Sequence, residues 1–519
     1  MQTQTRQITD TTATPFKHPA TLFILFFTEM WERFSYYGMR ALLVLFLTSS
    51  FVKGGWAWNR EDALQLYAAY TGLVYLTPIL GGVIADRLLG YRNAVILGAL
   101  IMTLGHASMA MESTFFFYLG LGLIIIGNGL FKPNISTMVG QLYQNNADKK
   151  DAAYTIFYMG INSGAFLGIL LCGYIGEKVG WSYGFGLAGI FMFLGMMQFS
   201  FAQKLFGTVG LSPKQKSELN NANNPASAAP IEELPARIVN DRVIVIGIFA
   251  FFTIFFWMAF EQAGGSMTIF ANDYTNRVLS GSSATIFRWA NTILVVVPMI
   301  ILTFVLFNLF RQTFSKIALS NIFLGSSFVI IWGLVIWMLQ REFSADTTEV
   351  PASWFGILNS FFIISLAPLF SKIWESKLNP SGPMKFGIGL ILVGIGFALL
   401  AYGGMDIPQG AKTASVSMVW LILAYCFHTM GELCISPVGL SYISKLAPLK
   451  WVGLMFGIWF TMTAIANYLA GFTGSYIDPI IEEHSMSIFF LIFTFVPAIA
   501  GLIIMSLNGM MKRKMHGID

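Results

Sequence analysis

The chain has 519 residues, 55% of them hydrophobic and only 11% charged, with a formal net charge of +5. Soluble domains carry about 25% charged residues, so a soluble globular protein is excluded, and nothing in the charge singles out nucleic acid as a partner. What remains is an all-α polytopic membrane protein whose main surroundings are a lipid bilayer, built from runs of about 20 apolar residues.

Residues 1–19 are polar and lack an apolar core with a cleavage site, so no cleaved signal peptide is expected and the first span is retained. Fourteen spans are predicted, at 20–50, 61–88, 93–112, 115–141, 152–175, 182–206, 242–271, 287–310, 317–340, 353–376, 384–403, 416–445, 451–476 and 486–510. The first contains "TEMWERFSYYGMR", with charged side chains at Glu29, Glu32, Arg33 and Arg40. At 3.6 residues per turn, these four and Tyr36 fall on an arc of roughly 100°. A charge near the bilayer centre costs about 2.5–3.5 kcal/mol on insertion scales. Such a face must therefore look into a bundle or a water-filled cavity, with opposite charges paired. Five aligned polar groups favour a transport cavity over an ion-pair cluster that only locks helices together.

Span two ends in "GGVIADRLLGYRNA", where small residues lead to Asp86, Arg87 and Arg92. Span four carries Lys132 in "NGLFKPNIS", and span five carries Asn162 in "FYMGINSG". Gly160, Gly164 and Gly168 recur every four residues there, the pattern of a close-packing helix face. Residues 207–241 are rich in Asn, Ala, Ser, Pro and charge, cannot bury a core, and read as a linker. They divide an N-terminal six-helix bundle (1–206) from a C-terminal one (242–510), which is followed by a tail at 511–519. Glu261 lies in the seventh span, in "FWMAFEQ", and Glu432 in the span at 416–445, in "HTMGELCISPVG". Lys132 and Glu432 come from opposite halves, so a pair between them would hold the halves together in one state. Cys172, Cys426 and Cys434 all lie in apolar runs and read as inert small hydrophobes. The apolar spans offer no metal-ligand cluster and no nucleophile–base pair, which argues against a membrane enzyme.

Lys and Arg set the orientation. With the N-terminus inside, 21 of them fall in inside segments and 7 outside, with Arg33, Arg40 and Lys132 within spans. Both termini are then cytoplasmic, as expected of a multi-pass protein of the cell (inner) membrane.

The stretch "EMWERFSYYG", followed in order by "FKPN", "FYMGINSG", "FEQ" and "GELCISPVGLS", resembles the proton-dependent oligopeptide transporter family. That family belongs to the major facilitator superfamily, whose loop between spans two and three Gly81–Ala94 also resembles. The resemblance runs from about residue 20 to residue 510 and implies a proton-coupled symporter of di- and tripeptides, working by alternating access with protons as coupling ion and no other cofactor. It implies that Glu29, Glu32, Arg33 and Glu261 take part in proton coupling. Arg33, Arg40 and Lys132 would meet the peptide carboxylate, and Glu432 the amino terminus. Tyr36, Tyr37, Tyr75, Asn162 and Asn359 would bind its amides, while Trp459, with Ser436 nearby, would line the substrate pocket.

Two departures qualify that picture. Animal members couple through a histidine in the second span, and this span has none, so carboxylates should carry the proton. The junction between the halves is too polar to hold the extra helix pair found in bacterial relatives. That pair is instead expected at 287–340, as a peripheral hairpin with no catalytic part. A monomer is expected to function. The same fold carrying another small solute, such as a nitrate-like anion or a peptide-like drug, is the nearest alternative, and a nutrient sensor the next.

Overall fold

The computed structural model describes residues 18–518 apart from 145–146, 213, 216–234, 378 and 449–450, so most of the expected linker lies outside the described residues. Apolar runs of membrane length become α1 (Ala20–Thr48), α2 (Arg60–Ile84), α3 (Tyr91–Met109), α4 (Thr114–Leu142), α5 (Lys150–Lys178) and α6 (Trp181–Phe201). Beyond the linker follow α7 (Ala236–Phe260), α8 (Gly281–Thr313), α9 (Ala318–Ser344) and α10 (Ile357–Glu375). The last four are α11 (Gly382–Gly403), α12 (Val419–Leu446), α13 (Val452–Gly474) and α14 (Met486–Ser506). Among the described residues, 12 helical segments are long and apolar enough to cross a membrane. The remaining two, α1 and α3, are of similar length but more polar: α1 holds the Glu29–Arg40 charges, and α3 holds Arg92, Asn93 and His106.

The chain divides into two units that do not follow the sequence halves. The first is Met1–Leu42, Thr77–Pro225 and Val278–Pro351; the second is Leu43–Leu76, Ala226–Arg277 and Ala352–Asp519. The α8–α9 pair, inserted within the C-terminal half of the sequence, thus belongs to the first unit. The last turns of α1 and most of α2 belong to the second.

In the first unit α3 packs along α4 and α6, α5 along α6, and α9 along α6. Small residues set the spacing. A Cβ on Gly164 would lie 2.1 Å from the Met30 carbonyl oxygen, and one on Gly168 would lie 2.2 Å from that of Phe34. The glycine repeat of α5 therefore lets α1 approach to backbone contact. Between α2 and α3 the chain turns at Gly90, whose φ of 74° lies in the left-handed region. Arg92, just beyond it, donates to the carbonyls of Gln203, Gly207 and Val209 and fixes the segment that leaves α6.

In the second unit α11 packs against α12 and α14, and α7 against α13. The first half of α2 seats on α13, where Gly471 faces the Ala68 backbone. Two-residue strands β1 (Thr275–Asn276) and β4 (Val416–Ser417) pair in parallel within this unit. In the first unit β2 (Val278–Leu279) and β3 (Thr348–Glu349) pair antiparallel and close the base of the α8–α9 hairpin. The short helix Asn508–Lys514 folds back to α7, where Asp241 accepts from Lys514 and pairs with His516 at 2.9 Å.

The backbone contact of α5 with α1 leaves no room for a side chain at Gly168. Gly168→Val is expected to cost about 1–3 kcal/mol through forced separation of the helices. Gly82→Ala, at a position with nothing within 4 Å, is expected to stay within about 0.5 kcal/mol. Thermal unfolding of the two purified variants in one detergent checks the contrast.

Candidate functional site

Helix α1 is buried without interruption from Thr21 to Tyr36. Its charged face is therefore removed from lipid and water alike, and each charge must find its partner inside the protein. Arg33 Nε donates to Glu29 Oε1 at 2.7 Å, one helical turn back, and lies 3.1 Å from Glu32 Oε2. One N–H bond cannot serve both carboxylates equally; it is aimed at Glu29. Glu32 keeps only the Coulombic contact with Arg33, and its Oε1 accepts a hydrogen bond from Asn128 Nδ2 of α4 at 2.8 Å. Lys132, one turn beyond Asn128, adds its positive charge to the same neighbourhood. Glu29 and Glu32 are both 0% exposed. The expected trio is thus brought together, and Asn128 joins it although sequence reasoning did not single it out. The available signal was its place one turn before Lys132 on the same helix face.

The arginine-rich half of the face continues toward Arg40. Tyr36 and Tyr37 meet edge to face at 5.1 Å, and the Arg40 guanidinium lies over the Tyr37 ring at 6.0 Å. On α5, Asn162 donates its amide back to the Tyr158 carbonyl at 3.0 Å. Between α4 and α5 lies an open surface pocket of about 390 Å³ lined by Ser136, Tyr154, Thr155, Phe157, Tyr158 and Ile161. Ser136 lies one turn from Lys132 and Tyr158 one turn from Asn162, so the pocket adjoins two of the predicted binding residues.

The predicted residues of the second unit form another group. Glu432 Oε2 accepts a hydrogen bond from Asn359 Nδ2 at 2.8 Å, and the same amide reaches Thr429 at 3.2 Å. This joins α10 to α12 through two residues that the resemblance named separately. Ser436 follows Glu432 by one turn, and its buried hydroxyl has no hydrogen-bond partner among the described residues. Trp459 of α13 lays its ring over Gly439, where a Cβ would stand 2.3 Å from the indole. Only glycine admits the aromatic there. Tyr75, near the end of the α2 portion in this unit, is partly buried. Glu261 is buried where α7 tightens into the turn Glu261–Gly264. Its neighbour Gln262 ties that turn to α13 through the Ala470 carbonyl at 2.7 Å. Lys132 and Glu432 lie in different units.

A further ionic group in the second unit was not anticipated. Arg60, at the start of α2, donates to Asp273 at 2.7 Å, Asp478 at 2.7 Å and the Tyr274 hydroxyl at 2.9 Å. It also donates to the Lys412 carbonyl at 3.0 Å. The signal in the sequence was weak: five residues drawn from four separate segments. Among the described residues, no group of three or more His, Cys, Asp or Glu side chains is placed to hold a metal. The arrangement suits ion pairing, proton exchange and binding of a polar solute.

The comparisons with known proteins point the same way. A family model described as "POT family" matches residues 92–226 and 325–488. The uncharacterized transporter YclF of Bacillus subtilis is 34% identical, covering 97% of this chain and 96% of its own. The peptide transporter YePEPT of Yersinia enterocolitica is 32% identical over 92% of this chain and 91% of its own. A di-/tripeptide transporter of Lactococcus lactis is also 32% identical, over 96% and 97%. Among solved structures, a peptide transporter POT in complex with sulfate superposes with a TM-score of 0.73 at 28% identity, over 97% of both chains.

Arg60 holds two acidic residues from separate segments, so Arg60→Met strands both without their shared cation. The expected loss is about 1–3 kcal/mol, seen as a lowered unfolding temperature. Arg60→Lys, which keeps the charge but not the fork, is expected to fall between the two.

Proposed function

The chain belongs to the POT family, and on that premise we propose that it imports di- and tripeptides across the cell membrane by proton-coupled symport. It is a multi-pass membrane protein and a secondary transporter, not an enzyme. Relatives named as peptide and di-/tripeptide transporters support the substrate class. The excess of Lys and Arg in alternate loops supports cytoplasmic termini, which puts the Arg60 cluster toward the external side. A single copy suffices for transport, and protons are the coupling ion.

One observation carries the coupling mechanism: fully buried Glu32 is contacted by Arg33, hydrogen-bonded by Asn128 and attracted by Lys132. Protonating Glu32 removes one negative charge from a site that holds two cations. Arg33 and Lys132 then lack part of their counter-charge in a region where unpaired charge is costly. A peptide carboxylate supplies it. Proton and substrate thus enter together because each completes the charge balance that the other disturbs. Arg40 extends the positive region, and Tyr36, Tyr37, Tyr75, Asn162 and Asn359 offer neutral partners to the peptide amides. Glu432 takes the amino terminus, with Ser436 providing a hydroxyl on the next turn, and Trp459 borders the side-chain pocket. Glu261 takes part in protonation or gating. Release of the proton restores the Arg33–Glu32 attraction and expels the carboxylate.

Uptake of labelled dialanine into proteoliposomes, with and without an inward proton gradient, tests this reading. Accumulation is expected only with the gradient. Glu32→Gln, a permanent mimic of the protonated carboxyl, is expected to retain peptide counterflow and lose accumulation. Full concentrative uptake by a folded Glu32→Gln protein would remove Glu32 as an essential coupling group.

The two ends of the peptide are separable. Lys132→Ala is expected to lose preference for a free carboxylate, and Glu432→Ala preference for a free amine. Competition by end-blocked dipeptides measures both. Unchanged competition in both variants places the binding groups elsewhere.

A further inference from the structure

The α8–α9 pair buries one stripe. On α9 the buried residues are Ser320, Asn321, Leu324, Ser327, Phe328, Ile331, Val335 and Met338, spaced three or four apart as one helix face requires. That face meets α1 as well as α6. The Phe328 ring stands edge-on to Phe27 at 5.6 Å and to Trp31 at 5.9 Å. On its other side Trp31 stacks on Phe191 of α6 at 4.8 Å, and Gly195 makes room for it. At 3.6 residues per turn, Phe27 and Trp31 lie roughly 160–200° around α1 from Glu29. Phe328 therefore presses on the side of α1 opposite its charges.

Two polar pins fix the hairpin on either side of that contact. Toward one end Ser320 Oγ donates to the Gln198 carbonyl at 2.7 Å, and the Gln198 side chain meets the Ile24 carbonyl and Thr28 of α1. Toward the other, the Tyr174 hydroxyl donates to Glu342 and Lys178 pairs with Glu349, each at 2.7 Å. Between the pins the aromatic group of Phe27, Trp31, Phe191 and Phe328 sets the rotation of α1 about its axis.

We propose that the α8–α9 hairpin, through Phe328, is a positioning element that holds the charged face of α1 in register with α4. This assignment rests on the coupling role given above to Glu29, Glu32 and Arg33. The Glu29–Arg33 pair is internal to α1 and survives a rotation of the helix. The Glu32–Asn128 bond is not, because it crosses to α4. A roll of about 20° at a side-chain radius of about 6 Å moves Glu32 by roughly 2 Å, which breaks a 2.8 Å hydrogen bond. Lys132 of α4 and Tyr37 of α1 also act on the trio. Toward α1, helices α5, α6 and α9 present the uncharged Gly164, Phe191, Met192 and Phe328. The hairpin is thus more than the peripheral addition that its place in the sequence suggests.

The test compares Phe328→Ala with Phe328→Tyr, both purified and folded. Phe328→Ala is expected to lower proton-driven uptake by about tenfold or more while counterflow stays within about twofold. The pH at which a hydrophobic carbodiimide modifies Glu32, followed by mass spectrometry, is expected to shift by about half a unit or more. Phe328→Tyr keeps the ring and is expected to behave as the unsubstituted protein. An unchanged labelling profile in Phe328→Ala overturns the proposal, as does an equal fall in uptake and counterflow with that profile intact. If Phe328→Ala does not fold, Phe328→Leu is carried through the same measurements and decides. The labelling arm needs no transport. Absence of proton-driven peptide uptake by the unsubstituted protein therefore counts against the transport reading, while the positioning role is still decided.

Discussion

One arginine serving two buried carboxylates on a single helix is the constraint around which the first unit is organised. Arg33 meets Glu29 and Glu32 at full burial, and a buried ion pair is tolerable only when its remaining hydrogen-bonding groups are also satisfied. Asn128 of α4 meets that requirement at Glu32 Oε1, while Glu29 Oε2 and Glu32 Oε2 have no hydrogen-bond partner among the described residues. The same requirement also calls for a helix with no side open to lipid. The glycine face of α5 supplies that closure on one flank by allowing backbone contact, and the aromatic groups of α6 and α9 supply it on another.

The residues proposed to meet the two ends of a peptide fall in different units, although each unit also holds buried or part-buried charges of both signs. The cations assigned to substrate, Arg33, Arg40 and Lys132, all belong to the first unit, and the acids Glu261 and Glu432 to the second. The neutral hydrogen-bonding residues are shared, with Asn162 in the first and Asn359 in the second. Under the proposed function, the residues named for the two ends of a peptide thus belong to separately packed bodies.

Local features of this arrangement were legible in the sequence. Helical periodicity alone put Glu29, Glu32 and Arg33 on one face, because contacts within four residues of each other are fixed by the helix itself. The α5 glycines announced a close-packed face for the same reason. Partners contributed by a second helix were harder to see. Nothing in the chain order couples Glu32 to Asn128, or Arg60 to Asp273 and Asp478. The residues of the Glu432–Asn359 pair were named by family resemblance, but their hydrogen bond was not. The affiliation of the α8–α9 hairpin was also hidden. Both helices are apolar on most faces, so periodicity does not say which bundle they cover. The seventh span runs on through Ala236–Tyr274 as its apolar character predicts, but its α-helix gives way to a tighter turn at Glu261–Gly264, where "EQAGG" falls.

The continuous burial of α1 bears on how the protein is made. A segment with four charged residues is a poor candidate for release into lipid alone, since each charge near the bilayer centre costs about 2.5–3.5 kcal/mol. Beyond the Glu29–Arg33 pair within α1, the groups that neutralise or shield it lie far downstream: Asn128 and Lys132 on α4, the α5 glycines, and Phe328 on α9. During synthesis, α1 must therefore wait in a polar or protein-lined environment until at least α4 has emerged, and Phe328 reaches its rear face only after more than 300 residues have been made. The insertion machinery, rather than the bilayer, is the first solvent of this helix.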